Sequence, residues 1–181
     1  MAGRRRATSL MLAAGLVAAA IALAGCGGEE TTSVVEGEPV ELGSLEYNVL
    51  FSRFLNPDDT EDKAYLEGQP APGQDTIYFG IFAQVENHDS EESQTLPGTF
   101  TIVDADENEF EAVESESPYA LPLGEEIPPK GEIPAPDSVP AVGPIEGSLL
   151  IFEITESSTE NRPLTLLIDG EDGPAEVELD L

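Results

Sequence analysis

The sequence is poor in the residues that cross-linking and most catalysis require. Its 181 residues hold one cysteine, one histidine, two methionines and no tryptophan, and seven basic residues stand against 37 acidic ones. With a single cysteine the chain makes no internal disulfide, so burial alone must hold its core. Without tryptophan it lacks the antibody-type Cys–Trp–Cys core. One histidine leaves one base for any Ser–His or Cys–His pair. That residue, His88, lies in the polar stretch Asn87-His88-Asp89-Ser90-Glu91-Glu92, with nothing like a nucleophile elbow around it. It reads as a solvated turn residue, because a stable transition-metal site draws on several nitrogen or sulfur ligands. Both methionines fall in the first eleven residues, which argues against a copper carrier. No Gly-rich phosphate loop is present, and 37 carboxylates make any one glycosidase-like pair uninformative. These shortages argue against an enzyme and call for no cofactor.

The scarcity of lysine and arginine also bears on partners. Arg4, Arg5 and Arg6 take three of the seven bases, so the chain beyond residue 25 has four bases against 37 acids, a balance of about −33 with His88 neutral. Nucleic acid is excluded as a partner, because binding it needs Lys and Arg on phosphates. Anionic lipid headgroups would repel such a domain.

The three arginines open a recognisable leader. MAGRRRATS is followed by an uncharged apolar run from Leu10 to Gly25. A positive start, an apolar middle and small residues at the end form an export signal. The run is shorter than the ~20 apolar residues of a spanning helix. Ala7 and Thr8 stand where a twin-arginine signal prefers bulky apolar residues, which points to the general secretory route. Leu23-Ala24-Gly25-Cys26 then resembles the lipobox of bacterial lipoproteins. That resemblance implies a diacylglyceryl group on the Cys26 thiol, cleavage before it, and attachment to the membrane. Two acyl chains give stable anchoring where one does not. The expected organisation is a signal peptide over 1–25, an acylated N-terminus and acidic flexible tether over 26–44, and one domain over 45–181. A flexible tether of that length has a mean reach of roughly 20–25 Å.

In the domain, apolar residues recur with period two. Leu45, Tyr47, Val49 and Phe51 alternate with polar neighbours. In DTIYFGIFAQVEN (75–87), Ile77, Phe79, Ile81, Ala83 and Val85 share one face while Tyr78 and Phe82 occupy the other, so this strand is expected to be covered on both sides. TFTIVD (99–104) and NEFEAV (108–113) flank a polar turn and read as a hairpin. SLLIFEIT (148–155), PLTLLID (163–169) and AEVELDL (175–181) complete seven strands, the last with Val177, Leu179 and Leu181 inward. No segment of the domain sustains helical periodicity. Seven short strands predict an all-β, antiparallel, immunoglobulin-like sandwich. Two connections are long. Residues 54–75 carry Phe54, Leu55, Tyr65 and Leu66 and are expected to dock on the sandwich. Residues 114–147 hold eight of the fifteen prolines and read as a display loop or an edge covering.

YFGIFAQVEN, FTIVDADENEF, GSLLIFEI and the closing AEVELDL together resemble the uncharacterised immunoglobulin-like domain of many bacterial extracytoplasmic lipoproteins. That family pairs a long strand ending in Asn with a strand-turn-strand of the Val-Asp-x-Asp type. The resemblance covers 45–181 and implies a fold and an extracytoplasmic, lipid-anchored location. It departs at Glu107, where a turn glycine is common, and lends no site residues.

One motif resembles a metal loop. Asp104, Asp106 and Asn108 begin a D-x-D-x-N pattern, but the helical calcium loop needs Gly at its sixth position and Glu at its twelfth, where this chain has Glu109 and Ser115. The three residues stay weak candidates for a non-helical divalent site beside the simpler reading of a turn. The function these features favour is a lipid-anchored binding or accessory module with an envelope protein as partner. The alternative is a structural cell-envelope protein whose acidic surface gathers divalent cations.

Overall fold

The strand with apolar residues on both faces is the centre of the molecule. The computed structural model describes residues 31–170 and 173–180. In chain order its strands are β1 (Thr32–Val35), β2 (Val40–Leu42), β3 (Leu45–Leu55), β4 (Thr76–Asn87), β5 (Gln94–Thr95), β6 (Thr101–Val103), β7 (Glu109–Val113), β8 (Glu126–Ile127), β9 (Glu132–Ile133), β10 (Ser148–Thr155), β11 (Thr165–Ile168) and β12 (Ala175–Glu178). A single 3-10 turn, Glu156–Thr159, follows β10. Neighbouring strands run in the order β1-β12-β11-β6-β7-β10-β4-β3-β2, with β9 also pairing β4 and a separate β5-β8 pair. β7 pairs β6 through Glu109–Glu111 and β10 through Ala112 and Val113. It thereby passes from one layer to the other, as strands at a sandwich corner do.

Two clusters sit on the two faces of β4. Phe79, Ile81 and Val85 point into the main core, where they meet Leu150, Phe152 and Ile154 of β10 and Ile102, Leu166, Ile168 and Val177 of the facing layer. Tyr78 and Phe82 point the other way, into a smaller cluster with Leu149, Ile151, Leu55, Tyr65 and Leu66. The expectation of a strand covered on both sides holds. Gly80 makes the second covering possible: a Cβ there would lie 2.9 Å from Leu55 Cδ1 and 3.0 Å from Leu149 Cδ1.

The fold is an all-β sandwich, and four features differ from the reading of the sequence. The described residues form twelve strands, not about seven, because several are only two to four residues long. The expected flexible tether over 26–44 is corrected over its described part, since Thr32–Val35 and Val40–Leu42 are strands. β1 lies parallel to β12 from Thr32↔Ala175 to Val35↔Glu178, so the sandwich is not wholly antiparallel. Lastly, Phe51 does not follow Leu45, Tyr47 and Val49 inward. The register of β3 on β4 slips between Val49 and Phe51. A bulge of one residue moves every later side chain to the opposite face, so Phe51 stacks on Phe82 from outside and is 43% exposed.

Both long connections are built into the structure. Tyr65 and Leu66 dock as expected, and Asp62 beneath them is buried against the Arg53 guanidinium and the Asn56 N–H. In the proline-rich segment, Leu121 and Ile127 are buried in the main core, β8 pairs β5, and β9 extends along β4 beyond the end of β10. This segment is an edge covering. Val177 and Leu179 of the last strand region are buried as expected, whereas Leu181 lies outside the described residues.

Candidate functional site

Three places carry the chemistry the sequence offers. The first is the N-terminal border. Cys26 lies outside the described residues. Only six positions later Thr32 is already in a ladder, its N–H donating to the Pro174 carbonyl at 3.2 Å. Six residues span at most about 21 Å. β1 thus begins six residues past Cys26, not after the 18 of the expected tether.

The second place is the turn between β6 and β7. Asp104 is 4% exposed. One carboxylate oxygen accepts the N–H groups of Asp106 (3.0 Å) and Asn108 (2.9 Å), and the Asn108 amide reaches both oxygens (3.1 and 2.9 Å). Burial acts to raise its pKa, but the bonds from Asn108, Ser158 and the Asp106 N–H outweigh it and bring the carboxyl down to about 2. The lone pairs that a cation would need are thus engaged in holding the hairpin. Asp104, Asp106 and Asn108 are brought together as the spacing suggested, and their arrangement is that of an Asx-type turn.

The third place was not seen in the sequence. Asn87, at the end of β4, is 2% exposed. Its amide is shared among the carbonyls of Glu92, Ile127 and Pro128 at 3.0–3.1 Å, and its Oδ1 accepts the Asp89 N–H. This fixes the turn that carries His88. The His88 N–H donates to the Ser44 carbonyl at 2.8 Å, and the Lys130 ammonium donates to the His88 carbonyl. The ring, 44% exposed, has Nδ1 3.9 Å from Glu41 and Nε2 3.5 Å from Glu86. Glu41, Glu46 and His88 each offer a ligand atom within 4.8 Å of the others. Beside them opens a cleft of about 830 Å³, lined among others by Tyr47, Asp89, Glu92, Leu96 and Asp169. Backbone N–H groups of Glu91, then Glu92, lower the pKa of Asp89 at its rim.

Sequence reasoning placed His88 in a solvated turn and Glu41 in the tether. The missed signal is VELGSLEY (40–47), in which two alternating triplets flank Gly43-Ser44. A Gly-Ser pair between alternating runs is a two-residue hairpin sign, and β2 and β3 pair across it from Leu42↔Leu45 to Val40↔Tyr47. Gly43 has φ +61° there, a conformation that glycine adopts at no steric cost.

No family model matches the chain, and no curated protein matches its sequence. Solved structures do resemble it. A secreted protein of Mycobacterium tuberculosis superposes with a TM-score of 0.54 at 14% identity, covering 83% of this chain and 99% of the other. The yjhA protein of Bacillus subtilis gives 0.54 at 16% identity, covering 81% and 99%. An uncharacterized β-sandwich protein of Clostridium difficile gives 0.49 at 17%, covering 83% and 95%. At these identities the likeness is one of fold, and the fold the chain shares with its structural neighbours is a β-sandwich.

Proposed function

We propose that this protein is a lipid-anchored extracytoplasmic binding or accessory module, attached to the cell membrane through Cys26. One observation carries the reading: an arginine-led apolar leader ends on Leu23-Ala24-Gly25-Cys26, and the first described strand starts six residues beyond it. The loop that meets β1 at Pro174 also supplies Asp169 and Gly170 to the open cleft. The start of β1 and the cleft therefore share one end of the sandwich, and a ligand or envelope protein recognised there would be met near the membrane. The balance of acids over bases keeps such a module soluble and off the anionic surface that holds it. The test is Cys26→Ser with metabolic labelling by a fatty-acid analogue. Loss of label and accumulation of the uncleaved precursor are expected, and label persisting in the variant overturns the reading.

A second reading rests on the acidic face itself. A structural envelope protein would collect divalent cations over 37 carboxylates. Calorimetry would then record many weak sites sensitive to salt, whereas a module gives a saturable complex with one envelope partner.

A further inference from the structure

The strand registers place four glutamates side by side. Glu41 is opposite Glu46, Glu46 is opposite Glu86, and Glu86 is opposite Glu132. Residues directly opposite share a face, and neighbouring strands are ~4.8 Å apart, so this is a row of carboxylates across β2, β3, β4 and β9. Like charges directly opposite are destabilising. Three acids elsewhere are met by donors: Asp62 by Arg53 and a backbone N–H, and Asp104 and Asp89 by N–H groups. Among the described residues the row's ion pairs are made with His88 alone. Lys130, the nearby base, gives its ammonium to the His88 carbonyl. The face also holds an unpartnered acceptor. Asn48, two residues along β3 from Glu46 and paired with Gln84, has Oδ1 buried with no hydrogen-bond partner, and such an oxygen calls for a donor or a cation nearby.

The imidazole completes the chemistry. A neutral ring has one donor nitrogen and one lone pair, yet carboxylates face both of its nitrogens. A cation placed between the lone-pair nitrogen and the carboxylate facing it would take both as ligands. Both backbone groups of His88 are bonded, so the main chain that carries the ring is fixed while the ring itself can turn.

We infer that Glu41, Glu46 and His88, flanked by Glu86, form a binding site for one borderline transition-metal cation, of which zinc is the representative. An imidazole nitrogen with carboxylate oxygens suits zinc and its neighbours, while magnesium and calcium prefer oxygen alone. Three protein ligands around zinc leave a fourth position for water or for a group of a bound partner. Tetrahedral bonds of about 2.0–2.1 Å put donor atoms roughly 3.3 Å apart. The present separations, up to 4.8 Å, need closing by at most about 1.5 Å. Glu41 and His88 are exposed, and Glu46 is partly so, which leaves their side chains free to make that movement. This site is single and selective, unlike the diffuse cation gathering of the second reading, and it does not depend on the lipid anchor.

His88 is the sole histidine of the chain, which gives the test a clean probe. The mature chain, free of any tag and carrying Cys26→Ser, is titrated with zinc chloride in millimolar magnesium. Binding is followed by calorimetry and by the histidine ring resonances in NMR. One zinc per chain is expected, with displaced ring resonances that magnesium and calcium leave unmoved. His88→Gln and Glu46→Gln should each weaken binding about tenfold or more, with the melting temperature of the metal-free protein little changed. Ring resonances that titrate with pH but ignore zinc would overturn the inference, leaving a histidinium ion-paired to glutamates. Equal zinc affinity in His88→Gln, or many equivalent zinc sites, would overturn it as well.

Discussion

Ile127→Ala separates a structural from a display role for the proline-rich segment. Ile127 lies on the two-residue strand β8 within 114–147 and is 1% exposed in the main core. Its backbone is fixed on both sides, by pairing with Gln94 and by the Asn87 amide on its carbonyl. The surroundings therefore have little freedom to collapse into the space left by three lost carbons. Truncation of a buried isoleucine to alanine costs about 2–5 kcal/mol, and the fixed backbone puts this site near the middle, about 3 kcal/mol. For a domain of this size each kcal/mol moves the melting temperature by about 2–4 °C, so a fall of about 6–12 °C is expected. Urea denaturation should show a lower midpoint at unchanged slope. Val142→Ala is the control: it lies in the same segment, is 72% exposed, and should change stability by less than about 0.5 kcal/mol. Replacing 121–140 with a short Gly/Ser linker removes Leu121 as well and uncovers the Asn87 amide. That should yield an insoluble or non-cooperatively melting product. A fall below about 2 °C in Ile127→Ala, or a soluble, cooperatively folded linker variant, would refute the assignment and return the segment to the role of a display loop.

Two further outcomes concern the β6–β7 turn. Asp104 has its carboxyl lowered from 3.8 to about 2 in the fold, so its contribution is present in full above pH ~4 and lost as pH falls from there through ~2. That contribution is on the order of 2 kcal/mol, and Asp104→Ala should flatten the acid side of the stability curve over this window in pH-dependent denaturation. An unchanged acid limb in the variant would refute it. Millimolar calcium should raise the melting temperature no more than magnesium does, through screening of a highly charged surface. A calcium-selective rise abolished by Asp104→Ala would show that the turn holds an ion after all.

How much of this was legible in the sequence depended on whether the signal was local. β4 was legible because its two faces are both apolar, a pattern contained in one run of residues. The last strand was legible for the same reason, with Val177 and Leu179 inward between outward acids. The slip in β3 was not, because LEYNVLFSRFL carries apolar residues on both parities and only the partner strand decides where parity changes. β1 has no local signature, since its strand character comes from β12, more than 140 residues away. Proline content marked 114–147 as a loop or an edge covering, but it hid the short β9 that joins the end of β4 and hid Leu121 and Ile127, two anchors too sparse to show a period. The glutamate row was hidden by abundance. With 37 acids, composition cannot say which four fall abreast, and register alone does.

The abundance of acid has a structural use that composition alone disguises. β3 is an exposed edge beyond the short β2, and such edges invite pairing with other chains. Natural edges are often guarded by lysine, which this chain can hardly supply. Here carboxylates guard it. Glu36 accepts from the Ser52 N–H at 3.2 Å and from the Asp180 N–H at 3.3 Å, while the neighbouring Gly37 N–H donates to the Val49 carbonyl at 2.7 Å. Further along, Asp62 accepts the Asn56 N–H at 2.7 Å, and on the other side of the layer Glu153 accepts the Gly73 N–H at 2.7 Å. At Glu36 and Glu153 the backbone N–H plays the part that a basic side chain plays elsewhere, and at Asp62 it adds to the Arg53 guanidinium. Charge-assisted bonds of this kind are roughly twice as strong as neutral ones, so a base-poor surface need not be a weakly held one. The same logic isolates the row of Glu41, Glu46, Glu86 and Glu132. There the four side chains lie in register on one face of the sheet, and a single imidazole stands among them.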